Sequence, residues 1–252
     1  MTRDLLWRGM LAGILAALLA TLFARQFAEP QVDVAIAFEA TQAEHAMGGH
    51  QASASEHAGE EPELVSRETQ KGWGLLTATL LYGAAVGGIF SLIFAAGYGR
   101  LAMIGPRTLA LMLGILAFLV VALIPAIKYP PTPPAVGQHE TVALRTVAYF
   151  AMIVLSVAGC MIAIRVRGSL VVRLGAFNAL LAGFAAFAVV VGIGQLLLPA
   201  VNEVPPGFPA TSLWDFRVAS LGMQFVLWMA IALIFGAFAH DVIRKAVTSR
   251  QR

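Results

Sequence analysis

The fold class is decided by the stretch LGAFNALLAGFAAFAVVVGIGQLLL, Leu174–Leu198, which contains no charged residue. An α-helix needs about 20 mostly apolar residues to cross the hydrocarbon core of a bilayer. Because long apolar runs satisfy their own backbone only as helices, and the alternation of barrel strands is absent, we predict an all-α integral membrane protein. The six predicted spans are Leu5–Phe27, Trp73–Gly97, Thr108–Ile127, Arg145–Ile164, Leu174–Leu198 and Phe216–Ala239.

The composition of the whole chain agrees with this class. Of 252 residues, 59% are hydrophobic and 12% are charged, about half the charged fraction of a soluble domain. The net charge of +3 does not indicate a nucleic-acid partner, because the basic residues lie in small groups at the ends of apolar runs. The single cysteine, Cys160, excludes an intrachain disulfide framework.

The first apolar segment has two interpretations. Arg3 and Arg8 precede it, as basic residues precede the apolar core of a signal peptide. Leu5–Phe27 has the length of a span, however, and the nearest small-residue cleavage motif, Ala35–Ala37, lies well beyond it. We predict a retained first helix, and the alternative is cleavage that leaves five spans.

Orientation follows from the positions of lysine and arginine. Eleven of these residues fall on the side that holds both termini and six on the other, so we predict that both termini are cytoplasmic. The inside connections, 98–107 and 165–173, are short and basic, and no phosphate-binding loop or dinucleotide fingerprint occurs. Any energy source is therefore an ion gradient, the membrane potential or another subunit.

The first outside loop, 28–72, is the most polar part of the chain. Its middle, 40–63, is too poor in apolar residues to order itself alone. It contains His45, His50 and His57 among several glutamates. Imidazole with carboxylate suits divalent ions such as Co²⁺, Ni²⁺ or Zn²⁺, but the spacing matches no compact zinc motif. The segment is thus either a weak collector of metal ions or a solvated acidic linker.

The other outside loops are marked by proline, which favours extended backbone. His139 and Glu140 follow one such run just before the fourth span, where they are either a metal or proton site or a solvated helix cap. Glu29 and Glu203 also lie beside prolines at helix ends. We predict that the three glutamates converge into an acidic mouth that selects cations concentrated by the histidine-bearing loop.

Polar side chains within the spans are few. For Asn178, Gln195 and Gln224 we favour hydrogen bonding between helices over ion coordination. Arg145 and Arg217 begin two helices on the outer side, where Glu140, Glu203 and Asp215 are the expected partners. We expect Pro125 to kink the third helix or to free a carbonyl group.

Several short motifs together carry a family resemblance. They are Phe27–Pro30, Leu123–Pro125 with its proline-rich continuation, and above all Val204–Leu221, with the sequence VPPGFPATSLWDFRVASL. The chain resembles the CbtA family, a predicted cobalt transporter subunit of bacteria. The resemblance implies a multi-pass protein of the bacterial inner membrane, no enzymatic activity and no permanently bound cofactor. It also implies Co²⁺ as the transported ion, cobalamin synthesis as its use, and a small one-helix, histidine-bearing partner, CbtB.

The family is generally described with five spans, whereas we predict six. Its metal ligands do not transfer by position, so the predicted metal site rests on chemistry: Glu29, His45, His50, His57, His139, Glu140 and Glu203. Membrane lipid surrounds the chain, and a homo-oligomer is compatible with the sequence. The alternative function is a non-transporting scaffold or assembly subunit, because the spans carry so few polar groups. An intramembrane enzyme is disfavoured, since Cys160 and Ser156 have no base nearby in sequence.

Overall fold

The computed structural model describes residues 2–48, 66–100, 104–134, 136–137 and 141–250. All regular structure in these ranges is helical, which confirms the predicted all-α class. The helices are α1 Thr2–Phe27, α2 Glu29–Gly48, α3 Gln70–Gly97, α4 Pro106–Lys128, α5 Val142–Leu197 and α6 Ala210–Arg250. All except α2 are long and apolar enough to cross a membrane.

The chain forms two compact units. The first contains α1, α2, α3, the beginning of α4 up to Ile115, and α6. The second contains the rest of α4, the whole of α5 and most of the residues that connect α5 to its neighbours.

In the first unit, α1 and α3 pack backbone to backbone through glycine. A Cβ atom at Gly13 would lie 1.9 Å from the carbonyl oxygen of Gly83, and one at Gly87 would lie 2.2 Å from that of Gly9. Such separations are far below van der Waals contact, so only glycine fits at this crossing. Thr21 and Thr79 add a hydrogen bond of 2.6 Å between the same two helices.

The last helix, α6, packs on its neighbours in the first unit through aromatic and small residues. Phe235 is fully buried and meets the rings of Phe90 and Phe94 edge to face, with centroids 5.6 and 5.1 Å apart. A Cβ atom at Gly114 of α4 would lie 2.5 Å from Ala232, so these helices also approach closely. Glycine and alanine thus allow the close packing that holds helices together where lipid offers no hydrophobic driving force.

The second helix corrects the prediction for the first outside loop. After a single turn residue, Ala28, the chain continues as α2 to Gly48, so the predicted loop begins with a helix and residues 40–48 have ordered backbone. Pro30 is tolerated because it occupies the first turn, where its missing N–H would have no partner. Ala35 is fully buried, and Phe38 packs edge to face on Phe208 with ring centroids 5.1 Å apart. Tertiary contacts therefore anchor the N-terminal half of this helix.

In the second unit, α4 becomes π-helical over Phe118–Leu123, directly before the buried Pro125. Proline lacks one backbone donor, and its ring clashes with the carbonyl group four residues earlier. A π-bulge is one way in which a helix accommodates that clash. The predicted kink or free carbonyl group stays a prediction, and the irregularity that the backbone shows is the π-helical segment. The irregularity is a widened helical turn that leads into Ile124–Lys128.

The 56-residue α5 folds back on itself. Gly175 breaks it with a φ of 76° and a ψ of 168°, a backbone conformation essentially reserved for glycine. Residue numbers rise along one arm as they fall along the other, because Gly159 faces Val190 while Gly183 faces Ala163. The arms 142–174 and 176–197 are therefore antiparallel, and each is long enough to cross a bilayer.

This fold-back accounts for the difference between six predicted spans and five long helices. The fourth and fifth predicted spans, Arg145–Ile164 and Leu174–Leu198, are the two arms of α5. The predicted inside loop, 165–173, is wrong as a loop, because helix continues through Arg165, Arg167 and Arg173 as far as the break. Arginine is a good helix former, so a basic connection is compatible with continued helix.

Candidate functional site

The best-defined polar cluster of the second unit surrounds Glu203, in the proline-marked segment between α5 and α6. Its carboxylate accepts a hydrogen bond from the guanidinium of Arg145, with Nη1 2.5 Å from Oε2, and another from the hydroxyl of Thr141. The Glu203 side chain is only 5% exposed, whereas that of Arg145 is 31% exposed. Arg145 is therefore the exposed member of the pair and Glu203 the buried one. The predicted pairing of Arg145 with Glu203 is confirmed.

Local sequence places both groups. Thr141 immediately precedes α5 and Arg145 lies in its first turn. A cation is unfavourable near a helix N-terminus, where the helix dipole is positive, and a carboxylate is favourable there. Glu203 thus relieves an electrostatic conflict that the position of Arg145 creates.

Residues of the proline-rich segment between α4 and α5 also contact this ion pair. Arg145 Nη1 lies 3.5 Å from the hydroxyl oxygen of Thr132. Gly137 has a φ of 156°, and a Cβ atom there would lie 2.9 Å from Arg145 Nη1 and 3.2 Å from Glu203 Oε2. A side chain at position 137 would therefore crowd the charged ends of this pair.

A second set of hydrogen bonds joins the end of α4 to the end of α5. Lys128 donates to the carbonyl oxygen of Gln195, and the Gln195 amide nitrogen lies 3.4 Å from the carbonyl oxygen of Ile124. The hydroxyl of Tyr129 donates to the carbonyl oxygen of Pro199 over 2.7 Å. Burial raises the pKa of this hydroxyl above its ordinary value of 10.0, so the phenol remains a donor at neutral pH. For Gln195, the predicted bonding between helices is confirmed.

The other two amides within the spans behave differently. Asn178 donates to the carbonyl oxygen of Leu174 in its own helix over 3.2 Å, and among the described residues it makes no bond to another helix. Gln224 lies near the hydroxyl of Tyr82 of α3, and its buried Oε1 has no partner in the described structure, so its predicted bonding between helices stays a prediction. The buried indole nitrogen of Trp228, one turn further along α6, also lacks a partner there.

Of the seven predicted metal-binding residues, the structure describes the side chains of two, Glu29 and Glu203. Glu29 is buried in the first turn of α2, in the first unit, and Glu203 lies in the second. The backbone of His45 belongs to α2. The side chain of His45 and the residues His50, His57, His139 and Glu140 lie outside what the structure describes. Within the described ranges, no three histidine, cysteine, aspartate or glutamate side chains form a group suited to a metal ion.

Three residues of the Glu203 cluster and its surroundings were missed by sequence reasoning. Thr141, Lys128 and Tyr129 bond to residues more than 60 positions away, so nothing local indicates their partners. A signal existed for Lys128, because a lysine directly after a 20-residue apolar run commonly bonds to carbonyl groups at a helix end.

Long apolar helices, close glycine contacts and polar networks placed at helix ends are typical of a multi-pass helical membrane protein. The model of the CbtA family, described as "Probable cobalt transporter subunit", matches residues 2–240. The chain therefore belongs to the CbtA family, a family of transporter subunits rather than of enzymes, which gives it a role in cobalt transport. No curated protein and no solved structure matches the chain.

Proposed function

We propose that this protein moves Co²⁺ inward across the inner membrane and thereby supplies cobalamin synthesis. The observation that carries the proposal is the family match over 2–240, nearly the whole chain. The membrane-spanning helices supply the route. The energy comes from a gradient, the membrane potential or another subunit, because the chain has no nucleotide-binding motif.

The proposed metal ligands lie on the outer side. His45, His50 and His57 collect the ion weakly, because a sparse histidine-bearing segment exchanges metal readily. His139 and the glutamates Glu29, Glu140 and Glu203 then select it at the helix ends. Imidazole and carboxylate together suit Co²⁺ better than Mg²⁺ or Ca²⁺, which prefer oxygen ligands alone.

The proposed partner is a single-helix, histidine-bearing subunit of the CbtB type. Such a subunit would add imidazole ligands in the membrane, where this chain has only His240 near the end of its last span. Co-expression of the two chains followed by purification in mild detergent tests the association. Recovery of a stoichiometric complex is the expected result, and consistent recovery of this chain alone would contradict it.

Cobalt accumulation in cells tests the function. Cells that lack other high-affinity cobalt uptake, and that express this chain with its partner, are expected to contain several-fold more cobalt than cells with an empty vector. Replacing all seven proposed ligands is expected to remove the increase. Retention of full uptake by that variant would contradict the proposed site, and an absence of uptake by the unaltered pair would favour the scaffold alternative.

A further inference from the structure

Arg145 is the more exposed member of the ion pair that it forms with the buried carboxylate of Glu203. The guanidinium is 2.5 Å from the carboxylate and 31% exposed, while the carboxylate side chain is 5% exposed. Thr132 contacts the guanidinium, Thr141 bonds the carboxylate, and Gly137 lies close to both groups. A cation that binds Oε2 of Glu203 therefore competes with Arg145 for that oxygen.

The replacement depends strongly on the charge of the incoming cation. Na⁺ or K⁺ brings the same single charge as the guanidinium, and exchange loses the charge-assisted hydrogen bonds of the ion pair. A divalent cation interacts about twice as strongly with a carboxylate at equal distance. A transition-metal ion also forms coordinate bonds with the carboxylate oxygen.

From this geometry we infer that Arg145 is a specificity-determining residue. Its guanidinium competes with incoming cations for the Glu203 carboxylate, and divalent cations displace it more readily than monovalent cations do. The inference rests on the proposed function, since it requires that the transported cation passes Glu203. It assigns Arg145 a role in rejecting the abundant monovalent ions, in addition to its place in the fold. The role belongs to the charge of the side chain, so lysine is expected to preserve much of it.

The test compares the sodium sensitivity of cobalt binding in purified protein. The half-saturating Co²⁺ concentration is measured by thermal stabilisation in choline chloride and in sodium chloride of equal ionic strength, so that screening is constant. Unaltered protein is expected to give the same value in both salts. Arg145→Gln is expected to bind Co²⁺ about tenfold more tightly in choline, because one charge-assisted competitor is removed, and to lose that gain in sodium.

Three further variants keep the test specific. Arg145→Lys retains the charge and is expected to remain insensitive to sodium. The double variant Arg145→Gln, Glu203→Gln is expected to lose the sodium response, because the carboxylate is gone. Lys71→Gln opens the exposed pair between Lys71 and Asp33, whose Nζ and Oδ2 lie 2.5 Å apart, and is expected to change nothing.

The outcomes separate the two proposals. If Arg145→Gln folds, binds Co²⁺ and remains insensitive to sodium, the specificity role is overturned while cobalt transport stands. If Arg145→Gln does not fold, a sodium-sensitive Arg145→Lys would overturn the role, and an insensitive one would support it. If Co²⁺ neither stabilises nor is moved by the unaltered protein with its partner, the proposed function itself fails.

Discussion

Arg145 and Glu203 form an ion pair whose two side chains differ sixfold in exposure, 31% against 5%. Removing either partner breaks the pair, but the consequences differ. Arg145→Gln leaves a buried carboxylate without a countercharge, which typically costs about 3 kcal/mol or more. Glu203→Gln leaves a guanidinium that can turn toward solvent, so we expect a loss of about 1 kcal/mol.

Thermal unfolding in one detergent measures this asymmetry. Arg145→Gln is expected to lower the midpoint clearly more than Glu203→Gln, and the double variant is expected to be no worse than Arg145→Gln. Lys71→Gln is the control, because it opens an exposed ion pair that contributes little. Equal losses for the two single variants would contradict the inferred difference in burial.

For single residues, the sequence predicted a side-chain partner only where the local helix position constrains it. Arginine at a helix start predicts an acidic partner, and Glu203 was among the three expected. The hydrogen bonds of Lys128 and Tyr129 depend on how α4 and α5 lie against each other, which no local pattern specifies. The distances between the proposed ligands are likewise a tertiary property.

Among the elements, the α1–α3 crossing depends on glycine. Gly13→Ala would place a Cβ 1.9 Å from the backbone oxygen of Gly83, which cannot move aside as a flexible side chain could. We expect a loss of about 1–3 kcal/mol, the usual cost of overpacking. Gly192→Ala in α5 is the matched control, because no atom lies within 4 Å of its added Cβ, and it should be neutral or slightly stabilising in thermal unfolding. Equal effects would argue against the close crossing.

The fold-back of α5 makes a separate prediction. Gly175→Ala forces a side chain into a conformation that only glycine adopts readily, at a cost of about 1–3 kcal/mol. Gly168→Ala, seven residues earlier in the same arm and in open space, should show no loss. Thermal unfolding of the two variants side by side is the measurement. A tolerated alanine at 175 together with a damaging one at 168 would place the turn elsewhere.

The six predicted spans coincide with long helices of the structure, whereas two predicted connections are helical as well. Apolar length alone identifies a span, because the bilayer imposes it. Residues 29–48 fell in the predicted loop 28–72, whose middle, 40–63, lacks apolar residues, although alanine, glutamate and glutamine make 29–48 good helix formers. The basic segment 165–173 was misassigned for a related reason, since charge identifies the membrane side but does not end a helix.

For the whole molecule, the fold-back and the positive-inside rule together predict a sidedness. With Cys160→Ser as a cysteine-free background, a single cysteine at 168 should react with an impermeant thiol reagent only from the cytoplasm. A cysteine at 207, after the second arm, should react only from outside. A straight α5 would be about 84 Å long and would place both positions on one side. Labelling of both from the same side would therefore contradict the six-span arrangement.

The central claim is that this CbtA-family protein moves cobalt. Its most direct test is uptake of radioactive Co²⁺ into liposomes that contain the purified chain and its co-expressed partner, with an imposed gradient or membrane potential. We predict saturable accumulation above protein-free liposomes, inhibition by excess unlabelled Co²⁺, and loss of uptake when the seven proposed ligands are replaced. Accumulation no greater than in protein-free liposomes under every driving force would contradict the account.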